Sequence, residues 1–214
     1  MEITVFMALT IATLFTVLGS LSRSTRQTII LLALQAAAIG IVELMYCLVN
    51  LITGLQMKAL IDFLAMFAEW FSCTVLNPLI IYWGMIKTEN IVDQPTMGTS
   101  NATMLIIAIT LSYSVFGGWF IFLLPKRLEV LPFIALMFTI SALFMSSRSD
   151  PLKILAGLNM AENALYPLLA ESPLNLIPLI LTLMVFINVV GVFIIMEAYR
   201  EYGALPISKW GWFD

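Results

Sequence analysis

The chain is a succession of long apolar runs. Residues 3–21, 28–50, 59–86, 103–124, 128–147, 154–170 and 173–199 carry few charges or none, and short polar connections separate them. A bilayer core of about 30 Å is crossed by about 20 apolar residues in an α-helix. The pattern therefore predicts seven transmembrane helices. In lipid, backbone polar groups must be paired within the protein, and a helix pairs its own. The expected fold class is an all-α, polytopic integral membrane protein, with residues 1–214 forming a single membrane domain. Only "KTENIVDQPTMGTSNA" at 87–102, with Pro95 and Gly98, is polar and long enough to form a surface excursion. No stretch remains for a soluble domain. The opening "MEITVFMALTIATLFTVLGS" lacks a basic leader and a small-residue cleavage site, so it is expected to be a retained helix rather than a signal peptide.

Composition narrows the function. The chain is 61% hydrophobic and 11% charged, against about 25% charged in soluble domains. There is no basic patch with interleaved aromatics, so nucleic acid is not an expected partner; lipids are. The chain has no histidine and two cysteines, Cys47 and Cys73, in different apolar runs and at different depths. No disulfide is expected, and the ligand sets of iron–sulfur clusters, His-ligated haem and the usual zinc sites are missing. No cofactor or metal is expected on this chain. Redox chemistry, if the protein takes part in any, belongs to another polypeptide.

The basic residues suggest an orientation. Arg23, Arg26, Lys87, Arg148, Lys153, Arg200 and Lys209 fall on one side of the seven-span arrangement, and Lys58, Lys126 and Arg127 on the other. The positive-inside bias puts the first group in the cytoplasm. The N-terminus is then outside and the C-terminus, with Trp210 and Trp212, inside. The third run contains Pro78, which removes a backbone donor and is expected to kink its helix. Asp62 in the same run falls near the outer interface, where water can solvate it.

Three acids are less easily accommodated. Glu162 lies at the midpoint of its run, and Glu43 and Glu69 within about 6 Å of theirs at 1.5 Å per residue. The second and third helices are antiparallel neighbours, so Glu43 and Glu69 sit at similar depth. Polar stripes accompany these acids. Glu43, Tyr46, Cys47 and Asn50 follow one another at helical spacing, as do Asp62, Glu69, Cys73 and Asn77, while Asn159, Glu162 and Asn163 cluster on the sixth helix. Helical geometry makes such sets one-sided, and a polar face in a membrane turns toward protein or a wet cavity. Gln35 and Asn77 are expected toward the cytoplasmic end, and Asn188 in the last run needs an interhelical partner. Two readings stay open: interhelical hydrogen-bonding glue, or a proton or ion path through Glu43, Glu69 and Glu162 supported by Gln35, Asn50, Asn77, Asn159, Asn163 and Asn188. No Lys lies deep in the membrane to pair with the acids, so they are expected to be largely neutral. Gly117 and Gly118 in "SVFGGWF" suit close helix approach.

Several segments resemble hydrogenase-4 component E, a membrane subunit of formate-hydrogenlyase-type complexes. They are the second helix with "LLALQAAAIG", the third ending "TVLNPLIIYWGM", the sixth with "NMAENALY" and the last ending "EAYREYGAL". The last two helices also resemble the NuoK-type subunit of complex I, whose Gly-Leu-Glu-(x)-(x)-(x)-Asn-Ala pattern corresponds to Gly157, Leu158, Asn159, Asn163 and Ala164. Here the family's Glu is Asn159, and a carboxylate follows at Glu162. The NuoK-type Glu on the next helix has no carboxylate counterpart, Asn188 being the nearest polar residue. Cys73 stands where the hydrogenase subunit carries a Lys before its Pro. The resemblance implies a non-redox subunit in the membrane arm of an energy-converting hydrogenase or complex I-related oxidoreductase of a prokaryotic cytoplasmic membrane. It implies antiporter-like subunits and a membrane-anchor subunit as partners, and nickel–iron or iron–sulfur centres in those partners. The alternative is a self-contained small transporter or channel. An intramembrane enzyme has less support, because no Ser/His, His/Glu or paired-Asp constellation is present.

Overall fold

The computed structural model describes residues 2–89, 99–123, 130–169 and 177–207, without the side chains of 2, 58, 62, 65, 99, 114–123, 168, 169 and 177–179. The architecture over these residues is helical. Helices α1 (Glu2–Leu21), α2 (Thr25–Ile52) and α3 (Gln56–Phe71) form two successive antiparallel hairpins. A π-helical segment (Ser72–Leu76) joins α3 to α4 (Asn77–Lys87), and α5 (Thr99–Leu123), α6 (Leu131–Ser146), α7 (Pro151–Asn163), the single turn α8 (Tyr166–Leu169) and α9 (Ile177–Tyr202) follow. Ile3–Leu21, Thr25–Ile52, Ala59–Lys87 and Ile180–Tyr202 are long and apolar enough to cross a membrane, while Ser100–Tyr113 and Leu131–Ser146 are shorter apolar helices.

The turns follow from local chemistry. Ser24 caps α2 by accepting from the Gln27 amide. At the other end Gly54 adopts φ +81°, a left-handed conformation that costs glycine little. Its N–H bonds Leu51 O and that of Leu55 bonds Asn50 O, the double closure of a Schellman cap. Asp150 caps α7 through the Leu152 amide, with Pro151 at the first helical position.

Two prolines reshape what the apolar pattern alone predicts. Pro78 has no N–H, and its ring meets the carbonyl four residues back in a regular helix. The chain widens to a π-helix over 72–76 and places Pro78 in the first turn of α4, so the irregularity lies before the proline, not at it. Pro167 has a larger effect. The expected helix 154–170 is not continuous: α7 ends at Asn163, Ala164–Leu165 turn, and α8 restarts at Tyr166. With 13 residues, α7 is only about 20 Å long. Glu162 is therefore in the last turn of a short helix and not at the middle of a spanning one. Residues 99–102, expected in the loop, belong to α5. Pro95, Gly98, Lys126, Arg127, Lys209, Trp210 and Trp212 and the side chains of Lys58 and Asp62 lie outside the described residues, as does the environment of Gly117 and Gly118.

Helix α2 is the central post, touching α1, α3, the π segment, α4, α7 and α8. Two apolar cores form around it. One holds Leu9, Ile39, Val42, Ile134 and Met137. The other holds Leu32, Ile81, Leu152, Met160 and Val192. Close approach is built in where α4 meets α7 and α9, since a Cβ on Gly84 would lie 2.7 Å from Val192 and 3.1 Å from Leu152.

At one end of the molecule the α6–α7 connection locks onto the α1–α2 turn. Arg148 donates to Ser20 O (2.8 Å) and Ser22 O (3.2 Å), and Lys153 to Ser22 O (3.3 Å) and Arg23 O (2.6 Å). Cations suit the carbonyl end of α1, where the helix dipole is negative. Lys153, which the apolar pattern places in a connection, is fully buried and acts as a staple. The segment after α9 joins the same end through Ile207 N–H to Ser149 O.

Candidate functional site

Between the two cores lies a polar layer made of amides. Gln35 Nε2 donates to Thr16 Oγ1 (2.8 Å) and Met160 O (3.1 Å), and its Oε1 accepts from Asn163 Nδ2 (3.5 Å). Asn159 and Asn188 form a reciprocal pair, Nδ2 to Oδ1 at 2.7 and 2.9 Å. Their remaining donors bond Leu155 O (2.8 Å) and Met184 O (3.0 Å). An amide presents two donors and one acceptor oxygen. Gln35, Asn159 and Asn188 use all of them within the protein and tie α7 to α1, α2 and α9.

The acids sit apart from this layer. Glu43 on α2, Glu69 on α3, Cys73 on the π segment and Tyr166 on α8 line one cavity with Ala36, Ile39, Gly40 and Trp70. Its volume is about 10 Å³, near the minimum that holds one water molecule. The α2–α3 hairpin sets the two acids at matching depth, and the absence of a Cβ on Gly40 lets the Trp70 ring close the wall: a Cβ there would lie 2.3 Å from Trp70 Cδ1. Glu43 and Glu69 are buried and hydrogen-bonded to each other. Two carboxyl groups can share such a bond only if one of them holds a proton.

Tyr166 joins the third acid to this group. Its Oη donates to Glu162 Oε1 at 3.0 Å and receives the Cys73 thiol at 3.5 Å. The other carboxyl oxygen of Glu162, Oε2, is buried without a hydrogen-bond partner. Asn163 Oδ1, Asn77 Oδ1 and Thr74 Oγ1 are in the same condition. Buried polar groups are nearly always paired, and these four fall in or beside the π segment and the break after α7.

The residues singled out from sequence thus divide. Glu43 and Glu69 meet, and Glu162 reaches them through Tyr166. Asn159, Glu162 and Asn163 do not act as one face: they turn to Asn188, Tyr166 and Gln35 respectively. Asn188 is the partner of Asn159 and not of Glu162. The stripe on α2 holds for Glu43 and Cys47, which are buried, whereas Tyr46 is exposed and Asn50 partly so. Cys47 donates to Ala59 O (3.2 Å) across the hairpin. Asn77 is buried, but the π segment adds a residue to the turn before it and so rotates it off the Glu69–Cys73 line. Sequence reasoning missed Tyr166, Trp70, Gly40 and Thr16. Tyr166 was within reach of it, since it stands four residues after Glu162, the spacing at which helical side chains meet.

Among the described residues no group of three or more His, Cys, Asp or Glu side chains has an arrangement suited to a metal ion. The lining supplies ionisable O–H and S–H groups and no cation, so the chemistry it offers is that of proton donors and acceptors. Comparison with protein-family models, curated proteins and solved structures returned no match.

Proposed function

We propose that this chain is a non-redox subunit of the membrane arm of an ion-translocating oxidoreductase, and that Glu43, Glu69 and Glu162 form part of its proton path. The observation that carries the reading is the cavity itself. Two buried acids share a proton beside a thiol and a phenol, with a third acid one hydrogen bond away, and no cation among the lining residues. Interhelical glue accounts poorly for it, because intramembrane acids are costly to bury and one oxygen of Glu162 gains no bond in return. In this reading all seven apolar runs cross or enter the bilayer, with α7 and α8 as a broken span. Broken helices at membrane depth are tolerated where they border protein or a wet cavity. The end stapled by Arg148 and Lys153 faces the cytoplasm.

The resemblance of "NMAENALY" and "TVLNPLIIYWGM" to hydrogenase-4 component E supports placing the chain in an energy-converting hydrogenase or complex I-related assembly. Its partners are then antiporter-like subunits and a membrane anchor, which hold the nickel–iron or iron–sulfur centres. Purification of the tagged chain from its native membrane in mild detergent tests this. The expected result is a large assembly whose other members carry the redox centres. A lone 24-kDa species that moves ions in liposomes contradicts it and makes the chain a self-contained transporter or channel.

A further inference from the structure

The geometry points to Tyr166 as the residue that passes protons between the Glu43–Glu69 pair and Glu162. This rests on the proton path proposed above and adds the element that joins its two parts. Tyr166 is 2% exposed, belongs to the cavity wall with Glu43 and Glu69, and holds Glu162 by its hydroxyl. It is the one lining residue with a hydrogen bond to Glu162. The groups acting on its hydroxyl are Glu162 from α7, Cys73 from the π segment and Glu69 from α3, and Glu43 from α2 lines the same cavity.

Its position is a product of the helix break. Continued as a regular helix, residues 162 and 166 would lie on one face of a single rod. The turn at Ala164–Leu165, imposed by Pro167, sets Tyr166 at the start of a separate element that packs on α2. The phenol ring then enters the apolar core beside Ala164 and Cys73, while the hydroxyl stays on Glu162. The i,i+4 spacing supplies the contact with Glu162, and the break sets the ring of Tyr166 into the cavity wall.

The transfer balances without an oxidant. The carboxyl O–H of Glu69 breaks and its proton goes to a water in the cavity, whose volume of about 10 Å³ lies at the lower edge of what one water occupies. That water gives a proton to Tyr166 Oη as the Tyr166 O–H proton passes to the Glu162 carboxylate. Glu69 becomes anionic and Glu162 neutral, while water and phenol end as they began. The pair, left without its shared proton, is recharged by the next proton donor along the path. Rotation of the phenol O–H resets the bridge, and the sequence runs equally well in reverse.

The test uses the whole assembly in liposomes, with redox turnover and proton movement measured together. Tyr166→Phe keeps the ring and removes the bridge. It is expected to assemble, and to lose proton movement by about a hundredfold, the scale of a positioned proton-transfer group, as Glu69→Gln and Glu162→Gln do. If those two variants lose proton movement and Tyr166→Phe keeps it, the bridge is wrong and the acid path stands. If Glu69→Gln and Glu162→Gln both translocate normally, the path fails and the bridge with it. Should Tyr166→Phe fail to assemble, difluorotyrosine at position 166 keeps shape and hydrogen bond while acidifying the phenol. A shifted pH profile of proton movement supports the bridge, and an unchanged profile overturns it.

Discussion

Gln35 and Glu43 stand about two turns apart on the same helix, and their surroundings are opposite. Gln35 makes three hydrogen bonds inside a layer where Asn159 and Asn188 also use every donor and acceptor oxygen. Glu43 lines a cavity and is hydrogen-bonded to Glu69, and Glu162, an acid with an unpaired oxygen, joins the group through Tyr166. Interhelical glue has a recognisable form here. It uses amides, which are neutral in any case, and Gln35, Asn159 and Asn188 close every bond, with Asn163 Oδ1 at the edge of the layer left open. The acid cluster uses groups that exchange protons and leaves bonds open. Under the proposed function, the contrast separates polar residues that hold the bundle from those that carry protons.

Variants can break or sharpen that contrast. The largest effect on stability belongs to the staple. Lys153→Met removes two charge-assisted bonds to Ser22 O and Arg23 O, and should destabilise the full chain by about 3–5 kcal/mol, read by denaturant unfolding in detergent. Next comes the amide layer. Asn188→Leu strands a buried Asn159 and should cost about 2–3 kcal/mol. Adding Asn159→Leu should recover part of that loss, a non-additivity that a double-mutant cycle detects. Strict additivity would mean that the pair is not coupled. Gly40→Val drives a side chain into Trp70, at about 1–3 kcal/mol for overpacking. By displacing that wall it should also expose Cys73, which small thiol reagents would then label faster. Smallest in stability is Glu69→Gln, under about 1 kcal/mol, because a neutral isostere retains size and one hydrogen bond with Glu43. An equally large loss in the acids and in the amides would erase the distinction.

The sequence carries this division only in part. Apolar runs of bilayer length locate the four long helices at Ile3–Leu21, Thr25–Ile52, Ala59–Lys87 and Ile180–Tyr202, and antiparallel pairing of the second and third brings Glu43 and Glu69 to one cavity. Helical spacing also implicates α7 as a polar helix. It fails where proline overrules periodicity. Pro167 ends α7 and puts Tyr166 on a separate short element, and Pro78 drives the π segment that moves Asn77 out of line. Partner choice fails for a related reason. A stripe says which residues share a face, but not that Asn159 finds Asn188 first and leaves Glu162 to a tyrosine beyond the break. The staple is hidden as well, because Lys153 and Arg148 in sequence look like loop charges. Only tertiary packing shows that they close the carbonyl end of α1.

The central claim is that the acids conduct protons and the amides hold helices together. Driven proton uptake by inverted membrane vesicles tests it most directly, with the assembled Glu69→Gln complex compared with the wild type at equal redox turnover. The expected result is wild-type assembly with uptake largely abolished. Full uptake by an assembled Glu69→Gln complex would contradict the account and return the acid cluster to the same structural role as the amide layer.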